Sequence, residues 1–131
     1  MIAVPGDVKT LRSICLITAD LPRLRAFYRA VLDLTPEGDD AFTSFALPGA
    51  TLALFGEADL ERMAAGSTIG IGRGASILEI EVGDVDAEHG RLTALDVVIV
   101  KPPTTQPWGS RSVWFRDPDG NLINFFAHVS A

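Results

Sequence analysis

The first clear pattern of apolar and polar positions lies at residues 13–32. The run SICLIT at Ser13–Thr18 is typical of a short strand, and Asp20 follows where a helix N-cap is expected. The next residues place apolar side chains on one helical face: Leu21, Leu24, Phe27, Tyr28, Val31 and Leu32. The pattern therefore predicts a strand followed by an amphipathic helix.

The same pattern returns 64 residues later, counted from Asp20 to Asp84. Ile77–Val82 again reads as an apolar strand, and Asp84 is the matching N-cap. A weaker apolar stripe follows at Val85, Leu92 and Leu95. The chain therefore contains an internal repeat whose unit begins with a strand and a helix.

Each predicted helix is followed by three predicted strands. In the first half these are a short strand near Leu34 and strands at Ala41–Leu47 and Thr51–Phe55, with a turn at Pro48 and Gly49. In the second half they are strands at Val97–Val100, Ser112–Arg116 and Leu122–Ala127, with an Asp-Pro-Asp-Gly turn at 117–120. Each half is therefore a strand-helix-strand-strand-strand (βαβββ) module.

The modules together predict an α+β fold in one domain covering residues 1–131. Their bounds are about 11–56 and 76–128, and the linker 57–75 contains a predicted helix at Glu57–Ala65. Both modules have one face for the helix and one face that mixes apolar and polar residues. Such a mixed sheet can curve into a cup around a ligand, with the helices on its outer face. The alternative is that the polar face is simply solvated or lies in a dimer contact.

The alternation of side chains along a strand assigns residues to these two faces. Leu78, Ile80 and Val82 form the predicted helix side, while Ile77, Glu79 and Glu81 form the other side. In the last strand the second set is Leu122, Asn124 and Phe126, so Asn124 is a lone amide on the cup side. An even four-residue turn would place Val113 opposite Asn124 and Arg111 opposite Phe126, whereas a bulge would shift this pairing by one residue. The same parity assigns Trp114 to the core.

Composition narrows the functional classes. Hydrophobic residues make up 47% of the chain, and no run approaches the roughly 20 apolar residues of a membrane span. The start, MIAVPGDVKT, lacks the pattern of a signal peptide, and the single cysteine, Cys15, excludes an internal disulfide. We therefore expect a cytoplasmic protein. The net charge of −6 argues against nucleic acid as a partner.

The two modules, with DLPRLRAFYRAVLDL in the first and WGSRSVWFRDPDGNLINFF in the second, closely resemble the vicinal oxygen chelate superfamily. Its members include glyoxalase I, extradiol dioxygenases, fosfomycin-resistance enzymes and bleomycin-resistance proteins. The resemblance covers nearly the whole chain, and the second segment is the more specific. It implies paired modules that form a cup, often completed by dimerisation.

Metal-dependent members of that superfamily carry ligands at the start of each module's first strand and in the middle of its last strand. The resemblance matches these positions to Ser13, Ala53, Ile77 and Asn124, with Ala53 found by equating Gly49 with Gly120. None is His, Asp, Glu or Cys, and these four side chains would not hold a transition metal. The chain therefore resembles most the metal-free, bleomycin-resistance-like branch, with no cofactor.

The remaining cup candidates each have an alternative. Glu79 is expected to pair with a cationic ligand or to act as a base, and Glu81 to be solvated at the strand end. Trp108 closes over a planar ligand or anchors its loop, and Arg111 faces the cup or the surface. Cys15 lines the cup as a small apolar group, since no histidine is placed to activate it. His128 is assigned a structural or surface role.

These features lead to three hypotheses. The first is a homodimeric binding protein that sequesters a small organic molecule of the cationic or aromatic class. The second is a metal-independent isomerase or lyase with Glu79 as general base. The third is a structural role in which side chains fill the cup. The predicted ligand-binding residues are Ser13, Cys15, Ala53, Ile77, Glu79, Trp108, Arg111, Val113, Asn124 and Phe126.

Overall fold

The computed structural model describes residues 9–129. Residues 1–8, which carry most of the segment on which the expectation of no signal peptide rests, lie outside the described residues. The elements in chain order are β1 Ser13–Thr18, α1 Leu21–Leu32, β2 Glu37–Gly38, β3 Phe42–Leu47, β4 Ala50–Gly56, α2 Glu57–Met63, β5 Ile77–Glu81, α3 Val85–Ala94, β6 Val98–Thr105, β7 Ser110–Arg116 and β8 Leu122–His128. No helix among these is long and apolar enough to span a membrane.

The strands form two four-stranded mixed sheets, one for each module. The order is β1-β4-β3-β2 in the first sheet and β5-β8-β7-β6 in the second. The outer strands β1 and β5 run parallel to β4 and β8, and the other pairs are antiparallel. Ser13 pairs with Thr51, and Ile77 pairs with Leu122, so both modules share the same register. The expected α+β fold of two βαβββ modules is confirmed.

Both predicted helix starts are confirmed by their capping bonds. The Asp20 carboxylate accepts a hydrogen bond from the backbone N–H of Arg23 at 3.2 Å. The Asp84 carboxylate accepts one from the N–H of Ala87 at 3.0 Å. Each bond satisfies a backbone donor that has no partner within the helix. The repeat of 64 residues therefore positions the two helices equivalently.

Several predicted bounds are wrong in detail. The short strand expected near Leu34 is β2, at Glu37–Gly38, and the linker helix ends at Met63. β6 continues to Thr105 through two prolines, which donate no backbone hydrogen bond, and its pairing with β7 is irregular there. Leu95 is 42% exposed because it lies at the end of α3, beyond the buried stripe of that helix.

The two modules share one core, and their helix-bearing faces meet in it. The ring of Tyr28 lies 6.4 Å from that of Phe45 in the first sheet, while the ring of Phe27 lies 6.5 Å from Phe115 in the second. Arg91 of α3 also donates hydrogen bonds to two carbonyl groups of α1, at 2.9 and 2.6 Å. Helix α1 therefore contacts both sheets, and the opposite faces of the sheets point away from the shared core. We call these the first and the second open face.

Candidate functional site

A row of paired residues crosses the second open face. Glu79 on β5 pairs with Asn124 on β8, Asn124 pairs with Trp114 on β7, and Trp114 pairs with Lys101 on β6. Paired residues project to the same side of a sheet, so the four side chains lie on one face. Glu79 and Lys101 are exposed at the two ends, and Trp114 is half-buried between them. The row combines an acid, an amide, an indole and an amine.

Asn124 is the buried member of this row. It is 5% exposed, and its Nδ2 lies 3.5 Å from Oε2 of Glu79, the outer limit of a hydrogen bond. Its Oδ1 is shielded from solvent and has no hydrogen-bond donor within reach among residues 9–129. The amide therefore presents one acceptor that the described part of the chain does not satisfy.

The pairing expected across the last hairpin is wrong by one residue. Arg116 pairs with Leu122, which leaves five residues, 117–121, in the connection instead of four. The connection closes through the Asp117 N–H, which donates to the Asn121 carbonyl at 2.9 Å. An odd connection shifts every residue of β7 to the other face, because side chains alternate along the strand. Trp114 therefore lies on the second open face, not in the core.

The same shift moves two predicted ligand-binding residues to the helix side. Val113 pairs with Phe125 and is fully buried in the core. Arg111 pairs with Ala127, and its guanidinium donates two hydrogen bonds to Asp86 of α3, at 2.7 and 2.8 Å. These bonds hold the pKa of the Asp86 carboxyl below its usual range. Arg111 and Val113 are therefore not residues of the open face.

The first open face carries the equivalent row from the first module. Cys15 on β1 pairs with Ala53 on β4, which pairs with Ser44 on β3. Cys15 is exposed, and desolvation by its surroundings raises the pKa of its thiol, which disfavours the nucleophilic thiolate. Ser13 is also exposed at the start of β1. This row is small and weakly polar where the second row is large and charged.

The four positions matched to metal ligands do not fit a metal. Ser13 and Ile77 begin the outer strands, and Ala53 and Asn124 lie in the middle of the inner strands. Ala and Ile have no donor atom, and Ser and Asn are neutral, weak ligands. In residues 9–129 no group of three His, Cys, Asp or Glu side chains could hold an ion.

An apolar groove of about 680 Å³ runs along β5, on the edge of the second sheet. One wall comes from the first module and includes Ile14, Leu47 and Leu52, and the other is β5 with Glu79 and Glu81. Both acids are exposed. Of the predicted ligand-binding residues, Ile77 and Glu79 line this groove. Glu81, which was expected to be solvated at the strand end, also lines it, and the first-module wall was not predicted. No signal in the sequence shows which residues the other module brings close to β5.

The two remaining aromatic candidates are placed differently. Trp108 is 72% exposed at the tip of the β6–β7 hairpin, where the Gly109 N–H donates to the Gln106 carbonyl at 3.1 Å. It is therefore not packed on the sheet as a loop anchor. Phe126 is half-buried on the second open face, and its ring lies 5.9 Å from that of His128.

Several solved structures share this fold. A glyoxalase/bleomycin resistance protein/dioxygenase from Nocardioides is 27% identical, with 98% of this chain and 89% of that chain covered and a TM-score of 0.78. A lactoylglutathione lyase from Agrobacterium tumefaciens is 25% identical, with 93% and 96% covered and a TM-score of 0.74. A family enzyme from Burkholderia phytofirmans PsJN, at 16% identity, covers 92% and 100% with a TM-score of 0.80, which shows the fold alone.

A comparison with curated proteins gave no significant match. The model of the Glyoxalase/Bleomycin resistance protein/Dioxygenase superfamily matches residues 10–125, which include both modules and the connection between them. The fold, the internal repeat and this match agree. The chain belongs to the glyoxalase/bleomycin resistance protein/dioxygenase superfamily, the vicinal oxygen chelate superfamily that its sequence resembles.

Proposed function

We propose that this protein is a metal-free binding protein that sequesters a small organic compound, with a cationic or aromatic compound as the preferred class. The observation that carries the proposal is the groove along β5, which combines apolar walls with the carboxylates of Glu79 and Glu81. Most ligand sites are concave and apolar with a few polar groups that orient the ligand. Two carboxylates on an apolar groove favour a ligand with an apolar body and a positive charge.

The side chains at the four matched positions support the absence of a catalytic metal. Metal-dependent chemistry needs about three charged or imidazole ligands and an open coordination position. Ser13, Ala53, Ile77 and Asn124 supply none of these ligands. The similarity to a lactoylglutathione lyase therefore supports a common fold and not a common reaction.

We also propose a homodimer in which the partner completes each binding face. β1 and β5 are outer strands of their sheets, and Ile14 and Ile77 on them are 43% and 56% exposed. Exposed apolar residues beside unpaired strand edges favour association. The two open faces point away from the common core, so a cup needs a second copy to close it.

An enzyme without a metal is the second candidate. Glu79 is exposed beside the groove and contacts the amide of Asn124, an arrangement suited to a general base next to a group that orients the substrate. The third hypothesis, a purely structural role, is disfavoured by the open groove. Turnover of a bound compound would distinguish the enzyme from the binding protein.

Calorimetric titration tests the proposal with matched aromatic cations, anions and neutral compounds. The cation is expected to bind best and to weaken with added salt, because both carboxylates attract it. Glu79→Gln should weaken cation binding by ~1 kcal/mol or more if binding desolvates the carboxylate. Glu37→Gln, which makes the same change on the distant strand β2, is the control. Failure of every organic compound to bind would refute the proposal.

A further inference from the structure

Resting on the proposed function, we propose that the ligand is recognised through a nitrogen cation carrying at least two N–H donors. A primary ammonium, an amidinium or a guanidinium group would donate to the Glu79 carboxylate and to Oδ1 of Asn124 together. The recognition element is therefore a pair of acceptors on adjacent strands, and not negative charge alone.

The orphan oxygen of Asn124 is the first observation behind this inference. Buried polar atoms nearly always have a hydrogen-bond partner, and an exception needs an explanation. Asn124 is 5% exposed, and its Oδ1 has no donor within residues 9–129. A ligand that supplies an N–H group satisfies this atom.

The orientation of the Asn124 amide follows from its neighbour. Its Nδ2 faces Oε2 of Glu79, so the N–H donates toward a carboxylate. The flipped amide would instead bring Oδ1 toward that carboxylate, placing two acceptors against each other. The carbonyl oxygen therefore remains the unsatisfied atom, and the group it lacks is a donor.

The Glu79 carboxylate is the second acceptor, and it is available. Its contact with Asn124 is 3.5 Å, and no cation forms a salt bridge with it in the described chain. The two residues are directly paired on strands that lie roughly 4.8 Å apart. A nitrogen with donors in two directions reaches both oxygens, whereas a quaternary ammonium reaches neither by a hydrogen bond.

Access to Oδ1 requires a side chain to move. The oxygen is shielded from solvent, and its neighbour Glu79 is exposed and weakly held. The Glu79 side chain shifts to admit the cation between its carboxylate and Oδ1, while one of its two carboxylate oxygens still accepts from Nδ2. The shift costs little, because the 3.5 Å contact with Asn124 holds the Glu79 side chain only weakly.

Three probes separate donor recognition from charge recognition. Benzamidine carries a cation with N–H donors, benzyltrimethylammonium carries the same charge with none, and benzoate carries the opposite charge. In calorimetric titration of the full chain, benzamidine should bind at least tenfold more tightly than benzyltrimethylammonium, and benzoate most weakly. In Asn124→Leu, the preference for benzamidine over benzyltrimethylammonium should fall below threefold. The affinity of this variant for benzyltrimethylammonium should stay within twofold of that of the unaltered protein. Asn124→Asp retains an acceptor and should retain the preference.

Each other outcome has a distinct meaning. Equal binding of the two cations by the unaltered protein overturns the inference and leaves the proposed function standing. Binding of neutral or anionic compounds alone overturns the inference together with the preference for cations, and leaves only the proposal of a binding protein. If Asn124→Leu weakens self-association without changing the ratio, Oδ1 belongs to the subunit contact and the inference fails. If no organic compound binds, both proposals fail.

Discussion

The hydroxyl of Tyr28 donates a 2.6 Å hydrogen bond to Oδ2 of Asp117, joining the first helix to the last connection across the two modules. Asp117 also accepts from the Nδ2 of Asn121 at 2.8 Å and from the backbone N–H groups of Asp119 and Asn121. This buried carboxylate therefore holds the five-residue connection that sets the register of β7 and β8. The position of Asn124 depends on that register.

We predict that Tyr28→Phe lowers the free energy of unfolding by about 1.5–3 kcal/mol, the range for hydrogen bonds to charged groups. The ring remains in the core, and the buried carboxylate loses the only partner from the other module that it has among the described residues. Urea unfolding followed by circular dichroism measures the change. Thr104→Val, which removes a local surface hydrogen bond, should change stability by less than about 0.5 kcal/mol. Equal values for both variants would contradict the role of Tyr28.

The same residue predicts an alkaline transition. Desolvation and the negative charge of Asp117 raise the pKa of Tyr28 above its ordinary value of about 10. Because the folded pKa is the higher one, its contribution to stability is complete below pH ~10 and is lost as pH rises further. Tyr28 is the only tyrosine, so tyrosinate absorbance reports it alone. The absorbance should appear only as the protein unfolds, and ordinary titration in the folded protein would contradict this environment.

The fold could be predicted from the sequence because its signals are local. Asp20 and Asp84 cap helices through residues only three positions away, and the apolar spacing that follows them determines the buried face. The equivalence of the modules also followed, since Gly49 and Gly120 mark corresponding turns. These features can be predicted without knowing which residues that are distant in sequence are in contact.

The site could be predicted only in part because it depends on register and on contacts between modules. The connection 117–121 has one residue more than the predicted turn. Val113 and Trp114 therefore each lie on the face opposite to the predicted one. The wall of the groove at Leu47 and Leu52 comes from the other module, which strand parity cannot reveal. Glu79 and Asn124 kept their predicted face, since the parallel pairing of β5 with β8 does not cross this connection.

Arg111→Gln tests the corrected register. The guanidinium of Arg111 forms an ion pair with Asp86 on the helix side. Its removal should therefore leave the affinities for cationic and anionic aromatic compounds unchanged within twofold. Melting temperature should fall slightly at most, because exposed ion pairs contribute about 0–1 kcal/mol. Glu79→Gln in the same titration should weaken cation binding. A selective loss of anion binding in Arg111→Gln would return this residue to the binding face.

Light scattering tests the proposed dimer. At micromolar concentration the protein should have twice the mass of one chain. Ile77→Lys, on the outer strand β5, should shift it toward the monomer, because a charge replaces an apolar contact. Ile69→Lys makes the same change in the linker, where the side chain is 83% exposed, and should leave the mass unchanged. A monomeric mass for the unaltered protein would contradict the proposal that two copies form a shared cup.

Metal content is the most direct test of the central claim, that this chain binds organic compounds without a metal. Elemental analysis of protein purified without chelator should find well under one Zn, Ni, Mn, Fe or Cu per chain, because Ser13, Ala53, Ile77 and Asn124 cannot hold one. One tightly held ion per chain, whose removal by chelator lowers the melting temperature, would contradict the account. It would also revive metal-dependent catalysis on this fold.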